Sequence, residues 1–142
     1  MMEKIHKNEK IIKILNPSRW YYFWYYFLGI VLTIIGIFFP LVLPIGLITI
    51  IVTELIRRAY KFYITNQRLI YEFDFLSREI YSTTYKKIQD IYFTQGLIER
   101  LAKIGTIYIN TAGTHSMEII FFGIKNPLII KSIIEKNILK KK

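Results

Sequence analysis

Uncharged and almost wholly apolar residues fill positions 20–53. The run WYYFWYYFLGIVLTIIGIFFPLVLPIGLITIIVT contains no Asp, Glu, Lys, Arg or His. As one helix it would be roughly 50 Å long at ~1.5 Å per residue, too long for a hydrocarbon core of about 30 Å, which about 20 residues cross. Pro40, Pro44 and Gly46 stand near its middle, where a helix has to break. The pattern predicts a helical hairpin, residues 21–39 and 41–56, turned over residues 40–44. Lys4, Lys7, Lys10, Lys13 and Arg19 precede the run, Arg57, Arg58 and Lys61 follow it, and the turn is uncharged. Positive residues on both outer flanks place both ends on the cytoplasmic side of a membrane. Trp20, Tyr21, Tyr22, Trp24, Tyr25 and Tyr26 crowd the first end, as rings that favour the headgroup layer do.

Three rival readings fare worse. A signal peptide has a shorter apolar core and a small-residue cleavage site, and no Ala-x-Ala is present. A single span ending near Phe39 would leave Arg57 and Arg58 outside, against the positive-inside rule. A soluble core hairpin would need more chain around it than remains.

After the hairpin the period changes from helix to strand. Residues 60–64 are aromatic and β-branched, and Asn66-Gln67 reads as a two-residue turn, Asn tolerating the left-handed backbone that such turns require. Leu69, Tyr71, Phe73 and Phe75 then alternate with Arg68, Ile70, Glu72 and Asp74, a strand with one apolar face. Further strands are expected at 78–85, 88–94, 106–112 and 117–122, with one or two helical turns at 97–102 and a turn at Gly113-Thr114. Asn126-Pro127 marks a helix start, Asn as N-cap and Pro first inside. Ile129, Ile130, Ile133, Ile134 and Ile138 then recur at helical spacing and predict one buried face. Before the run, the apolar residues of 5–15 fit a short strand or an amphipathic helix equally well, and Asn16-Pro17-Ser18 is a break. Six short strands leave edges that need cover. A strongly curved sheet or small barrel closed by the last helix supplies it.

Composition agrees with one membrane element plus one small domain: 142 residues, 53% of them hydrophobic. No cysteine is present, which removes disulfides, thiolate metal sites and thiol nucleophiles. Net charge is +10. Residues 1–19 hold five basic and two acidic residues, and residues 54–142 hold fifteen and eight. Basic juxtamembrane residues gain about 1 kcal/mol each near anionic lipid, so a bilayer is the nearest partner. Nucleic acid is disfavoured because no groove-reading helix or basic-aromatic motif appears.

The search for catalytic chemistry is nearly empty. His6 and His115 are isolated, no phosphate-binding loop or dinucleotide fingerprint occurs, and Ser116 lacks a nucleophile elbow. Within the apolar run Thr33, Thr49 and Thr53 are the polar aliphatic residues, which argues against a self-contained transporter. Neither an enzyme nor a cofactor is expected. The candidate contacts for anionic headgroups are Arg57, Arg58, Lys61, Lys86 and Lys87. The plainer reading of the first three is topology, of Lys86 and Lys87 a solvated surface, and of Lys140, Lys141 and Lys142 a dipole-matched helix end. Gly36, Gly46 and the two prolines serve the hairpin turn first and helix packing second.

Tyr63-Ile64-Thr65-Asn66-Gln67-Arg68-Leu69 resembles the x-[IL]-T-x-x-R-[LI] part of the Y-x-[IL]-T-x-x-R-[LI] signature of the second family of bacterial pleckstrin-homology-like domains, with Phe62 standing at its first position. The segments 88–91, 101–107, 110–113 and 123–127 are similar to that family's in order and spacing. The resemblance covers roughly residues 16–139, including a membrane hairpin placed directly before the domain. It departs at Leu76-Ser77 and at Lys103, where the family often has Gly. It implies an α+β membrane protein whose PH-like barrel has seven strands and a C-terminal helix, the seventh strand falling within residues 8–15. Tyr63, Thr65, Asn66, Arg68, Gly105, Gly113 and Pro127 are then motif residues with structural roles. The expected layout is a basic cytoplasmic segment 1–19, a transmembrane hairpin 20–56 and a PH-like domain 57–142, with two spans in the cell membrane and both termini cytoplasmic. The expected role is membrane-anchored binding or scaffolding, the ligand a lipid headgroup, another membrane protein or a second copy of the chain. The alternative is a subunit of an oligomeric pore or of a transport or secretion accessory complex.

Overall fold

The computed structural model describes residues 9–111 and 119–140. Strand β1 (Ile11–Leu15) leads through a 3-10 turn (Arg19–Tyr22) into helix α1 (Phe23–Phe38) and helix α2 (Leu43–Ala59). Strands β2 (Tyr60–Thr65), β3 (Arg68–Asp74) and β4 (Arg78–Thr84) follow, then a 3-10 turn (Tyr85–Lys87) and β5 (Ile88–Thr94). Helix α3 (Leu97–Leu101), β6 (Ile104–Thr111), β7 (Ile119–Lys125) and α4 (Pro127–Leu139) complete the chain. The strands form two antiparallel sheets, ordered β1-β2-β3-β4 and β5-β6-β7.

The seventh strand is β1, inside the window expected for it. Pairing with β2, Leu15 opposite Phe62 and Ile14 opposite Tyr63, settles residues 11–15 as strand. The segments expected to be strands from residue 60 onward are strands. The turn expected at Gly113-Thr114 and the first residues of the strand expected at 117–122 lie outside the described residues.

Phe62 of β2 and Phe121 of β7 stack with ring centroids 4.8 Å apart and join the two sheets. Ile64, Leu69, Ile107, Ile109 and Ile124 fill the space around them, with Ile130 and Ile134 of α4. Each such buried side chain contributes about 1.5–3 kcal/mol relative to exposure. Ile133 and Ile138 pack against this core, whereas Ile129 is exposed, so the apolar face of α4 is narrower than its spacing suggested. Asn126 does stand at the N-cap, but with φ 50° and no side-chain cap bond.

Both faces of β3 are covered. Arg68, Ile70 and Glu72, expected to face water, are buried, and Phe75 lies beyond the strand. The polar face is tolerated because its charges are paired: Glu9 Oε1 accepts from Arg68 Nε at 3.0 Å, and Glu72 Oε1 accepts from Arg78 Nη2 at 2.9 Å. The turn after β2 also differs from expectation. Among the described non-glycine residues positive φ occurs at Lys103 and Asn126, not at Asn66. Thr65 Oγ1 accepts from the backbone N–H groups of Gln67 (3.2 Å) and Arg68 (3.0 Å), which closes the turn without a left-handed residue.

Helices α1 and α2 pack antiparallel, joined by a turn over residues 39–42. Pro44 is not in that turn but in the first turn of α2, where its missing N–H costs nothing. Gly36 and Gly46 serve contact between the helices rather than the turn. A Cβ on Gly46 would lie 2.5 Å from Thr33 N, and one on Gly36 2.3 Å from Leu43 Cα. Gly29, unremarked in the sequence, is equally close to Ile50. The stretch Arg19–Phe38 is long and apolar enough to cross a membrane, with 11% of it buried. Helix α2 has 17 residues and closes on Glu54, Arg57 and Arg58. It passes into β2 without a loop, so hairpin and sheet share one backbone path.

Candidate functional site

The junction of hairpin and domain is organised by Glu54. Its placement three and four residues before Arg57 and Arg58 puts all three on one helix face. Arg57 donates to both carboxylate oxygens, at 2.7 and 3.0 Å, and from Nη1 to Pro17 O at 3.2 Å. Arg58 Nε donates at 2.7 Å, Tyr26 OH at 2.6 Å and Arg19 Nη2 at 3.5 Å. One carboxylate thus gathers three guanidinium groups, and Arg57 ties α2 to the 16–18 linker. Ser18 continues the path: its N–H donates to Gly123 O at 2.8 Å. Tyr21 packs on Phe122 at 5.2 Å between centroids and crowds the left-handed Gly123, φ 61°.

These bonds shape a cleft of about 600 Å³ between β1, the linker, the end of α2 and the start of α4. Among the described residues Lys13, Arg19, Arg57 and Lys125 line it beside Trp20 and no acidic residue does, Glu54 being bonded to Arg19 and Arg57 from outside the lining. Lys13 and Lys125, with Arg19 and Arg57 sharing the charge of Glu54, leave an open cleft of net positive charge that suits an anion with an apolar body.

Of the five expected headgroup contacts, the structure brings only Arg57 to this cleft. Arg58 is exposed and engaged with Glu54, and Lys61 is exposed on β2. Lys86 and Lys87 sit in the 3-10 turn after β4, whose last residue pairs with Arg68 at the end of β3 away from the hairpin. Seven residues of β4 separate that turn from the hairpin end, ~20 Å at ~3.3 Å per residue. Glu54, Lys13, Lys125 and the role of Arg19 were missed. The i+3 and i+4 arginines after Glu54 were the readable signal. Lys13 and Lys125 carried none.

Of the motif residues, Thr65, Asn66 and Arg68 hold the end of the domain away from the hairpin together, while Gly105 and Pro127 lie at the end beside it. Thr65 Oγ1 lies 2.8 Å from Glu9 Oε1, and Tyr85 OH donates to Thr65 O at 2.6 Å. Asn66 and Lys10 exchange two bonds, at 2.8 and 2.9 Å. Burial, with a hydrogen bond toward Glu72, pushes the Tyr63 phenol up to about 12. A Cβ on Gly105 would meet Thr94 O at 2.8 Å and Pro127 at 3.0 Å. Gly113, His6, His115 and Ser116 lie outside the described residues. Among the described residues no group of His, Cys, Asp and Glu is placed to hold a metal.

The family model described as "Bacterial PH domain" matches residues 17–138. Among the solved structures the chain is similar to a DUF1696 family protein with a pleckstrin-homology domain from Shewanella loihica PV-4. Identity is 18% over 57% of this chain and 68% of that one, with a TM-score of 0.42. No curated protein matches.

Proposed function

From the premise that this chain belongs to the bacterial PH domain family, we propose a membrane-anchored binding module whose basic cleft holds an anionic lipid headgroup at the cytoplasmic surface. The hairpin is the anchor, spanning twice, with residues 1–19 and the PH-like domain from residue 57 on the same side. The module binds and scaffolds; it does not catalyse.

One observation carries this reading. The large apolar side chains of α1 and α2 point outward, while the residues the two helices bury are small: Gly29, Gly36, Gly46, Thr53 and Ala59. Water would penalise so much contiguous apolar surface, and hydrocarbon would not. The threonines fit the same solvent: Thr33, Thr49 and Thr53 each donate to the carbonyl four residues back, at 2.8, 2.8 and 2.7 Å, leaving no hydroxyl for lipid to satisfy. Arg19–Phe38 is ~30 Å long at ~1.5 Å per residue, the thickness of a bilayer core, and the uncharged part of α2, residues 43–53, returns ~17 Å before Glu54, so the second span is short. The cleft opens beside Trp20, where headgroup phosphates would lie.

The test uses the full chain in phosphatidylcholine vesicles with and without phosphatidylglycerol. A Val42→Cys label reacts from the side opposite the domain and a Lys86→Cys label only after the vesicles are opened. Pyrene-labelled phosphatidylglycerol transfers energy from Trp20, and a Lys13→Glu, Lys125→Glu variant loses most of that signal at moderate salt. Equal signals from variant and parent would remove the cleft as the headgroup site and leave the domain to a protein partner.

A further inference from the structure

Strand register sorts the turns of the domain to two ends. Strand β2 begins where α2 stops, and Tyr60, its first residue, pairs with Phe73. The β3–β4 turn, residues 75–77, therefore lies at the hairpin end. In the other sheet Gly123 is held against Ser18 and Tyr21, Lys125 pairs with Ile104, and Thr94 pairs with Thr106. Helix α3, strung between β5 and β6, hangs from that same end.

The two ends differ in what they offer. The far end shows Asn66, Gln67, Lys86 and Lys87. At the hairpin end Leu76 is 92% exposed, and Leu97 and Leu101 are each 86% exposed, with Ile98 also exposed. Among the described residues no core or neighbouring element covers these leucines, and the Tyr21–Phe122 contact sets the aromatic start of α1 at the same end. Charge is uneven across this end. Arg100 and Lys103 flank the apolar side chains of α3, and Glu99 turns its Oε2 onto Gly96 N at 2.8 Å. Asp74, Glu79 and Arg78 surround the β3–β4 turn.

We propose that this end is a second membrane contact: α3 and the β3–β4 turn seat their leucines in the headgroup layer of the bilayer that the hairpin crosses, so the domain lies on the membrane rather than swinging above it. The proposal rests on the membrane reading of the hairpin. The occupant is lipid because the face is continuous with the hairpin's aromatic end and because α3 combines leucines with cations, as elements lying in an anionic interface do. The basic residues on the α3 side make it the firmer of the two contacts on anionic lipid.

The chain has no cysteine, so single-cysteine variants of the full protein can carry a fluorophore at one site each. Leu97→Cys, Leu101→Cys and Leu76→Cys probe the face, Lys86→Cys the far end, and Ile30→Cys the hairpin interior. In vesicles of phosphatidylcholine and phosphatidylglycerol, spin-labelled lipids quench by depth. The expected result is several-fold stronger shallow quenching at positions 97, 101 and 76 than at 86, strengthened by phosphatidylglycerol at 97 and 101, with deep quenching at 30. Quenching at 97 and 101 no greater than at 86, while 30 remains deeply quenched, overturns the docking and assigns the face to a protein partner. Loss of deep quenching at 30 overturns the hairpin reading and this proposal with it.

Discussion

Hairpin and sandwich are both built from Ile, Leu, Phe and Tyr, yet they use these residues in opposite ways. In the sandwich the large apolar side chains point inward, and Phe121 is fully buried. In the hairpin they point outward, Phe38 being 80% exposed, and contact between the helices is left to Gly29, Gly36 and Gly46. The sandwich gains its stability by removing apolar area from water. The hairpin cannot, since its apolar area is not hidden within the chain; its helices meet by close backbone approach, as helices do where the surroundings are already apolar. Composition alone does not separate the two regimes. The direction in which the side chains point does.

The comparison is sharpest for one substitution made twice. Phe121→Ala opens a cavity between the sheets and is expected to cost about 3–5 kcal/mol of domain stability, read as a lowered denaturation midpoint in detergent. Phe38→Ala removes the same ring from the exposed end of α1 and should leave that midpoint unchanged. A large loss at Phe38 would mean that something other than lipid or detergent covers the hairpin.

Much of this contrast was legible beforehand. The uncharged run, its break and the alternation of the strands rest on local periodicity, and β5 occupies residues 88–94 as read. Strand β1 was legible only as an alternative, because Ile11, Ile12, Ile14 and Leu15 fit a strand and an amphipathic helix equally well and only pairing with Phe62 decides. The cleft was not legible. Lys13, Arg19, Arg57 and Lys125 come from four segments, brought together by the β1–β2 register and the Ser18–Gly123 bond. Lys86 and Lys87 looked alike in sequence to Arg57 and Arg58, and only strand direction sends them to the other end. The buried polar face of β3 was hidden too, since its cover includes Glu9, 59 residues away from its partner Arg68.

Charge repeats the contrast at smaller scale. Glu9 is completely buried against Arg68, whereas Glu54 is 22% exposed among three arginines. Neutralising one member of a buried pair forfeits its charge match and weakens its hydrogen bonds, so Glu9→Gln, opposite Arg68 Nε at 3.0 Å, should cost about 3 kcal/mol. At Glu54 water reaches two of the three arginines left behind, Arg19 and Arg58, and Glu54→Gln should cost about 1–2 kcal/mol, less than Glu9→Gln. Its clearer effect is on geometry, since Arg57 is then released from the cleft wall; a headgroup signal that rises in this variant while stability falls no further than this would mark Arg57 as restrained by Glu54. Equal stability losses at the two sites would erase the distinction between them. Within the hairpin, Gly46→Val drives a side chain onto the Thr33 backbone and should cost about 1–3 kcal/mol, separating α1 from α2 while the sandwich melts as before.

The smallest effect is at Lys103, a non-glycine at φ 54° where the family often has glycine. A side chain in this region costs roughly 1–2 kcal/mol, and glycine would relieve most of it at some entropic cost of its own. Lys103→Gly should therefore raise domain stability by about 1 kcal/mol. The lysine stands between α3 and β6, at the end of the domain beside the hairpin, so the same change removes a cation from that face. Asn tolerates the left-handed backbone better than Lys does and separates the two roles. If charge at this end matters, Lys103→Gly and Lys103→Asn both weaken quenching of the α3 labels in anionic vesicles, although their backbones are eased to different degrees. If they differ from one another in quenching as they do in stability, the lysine acts through the turn rather than through the lipid.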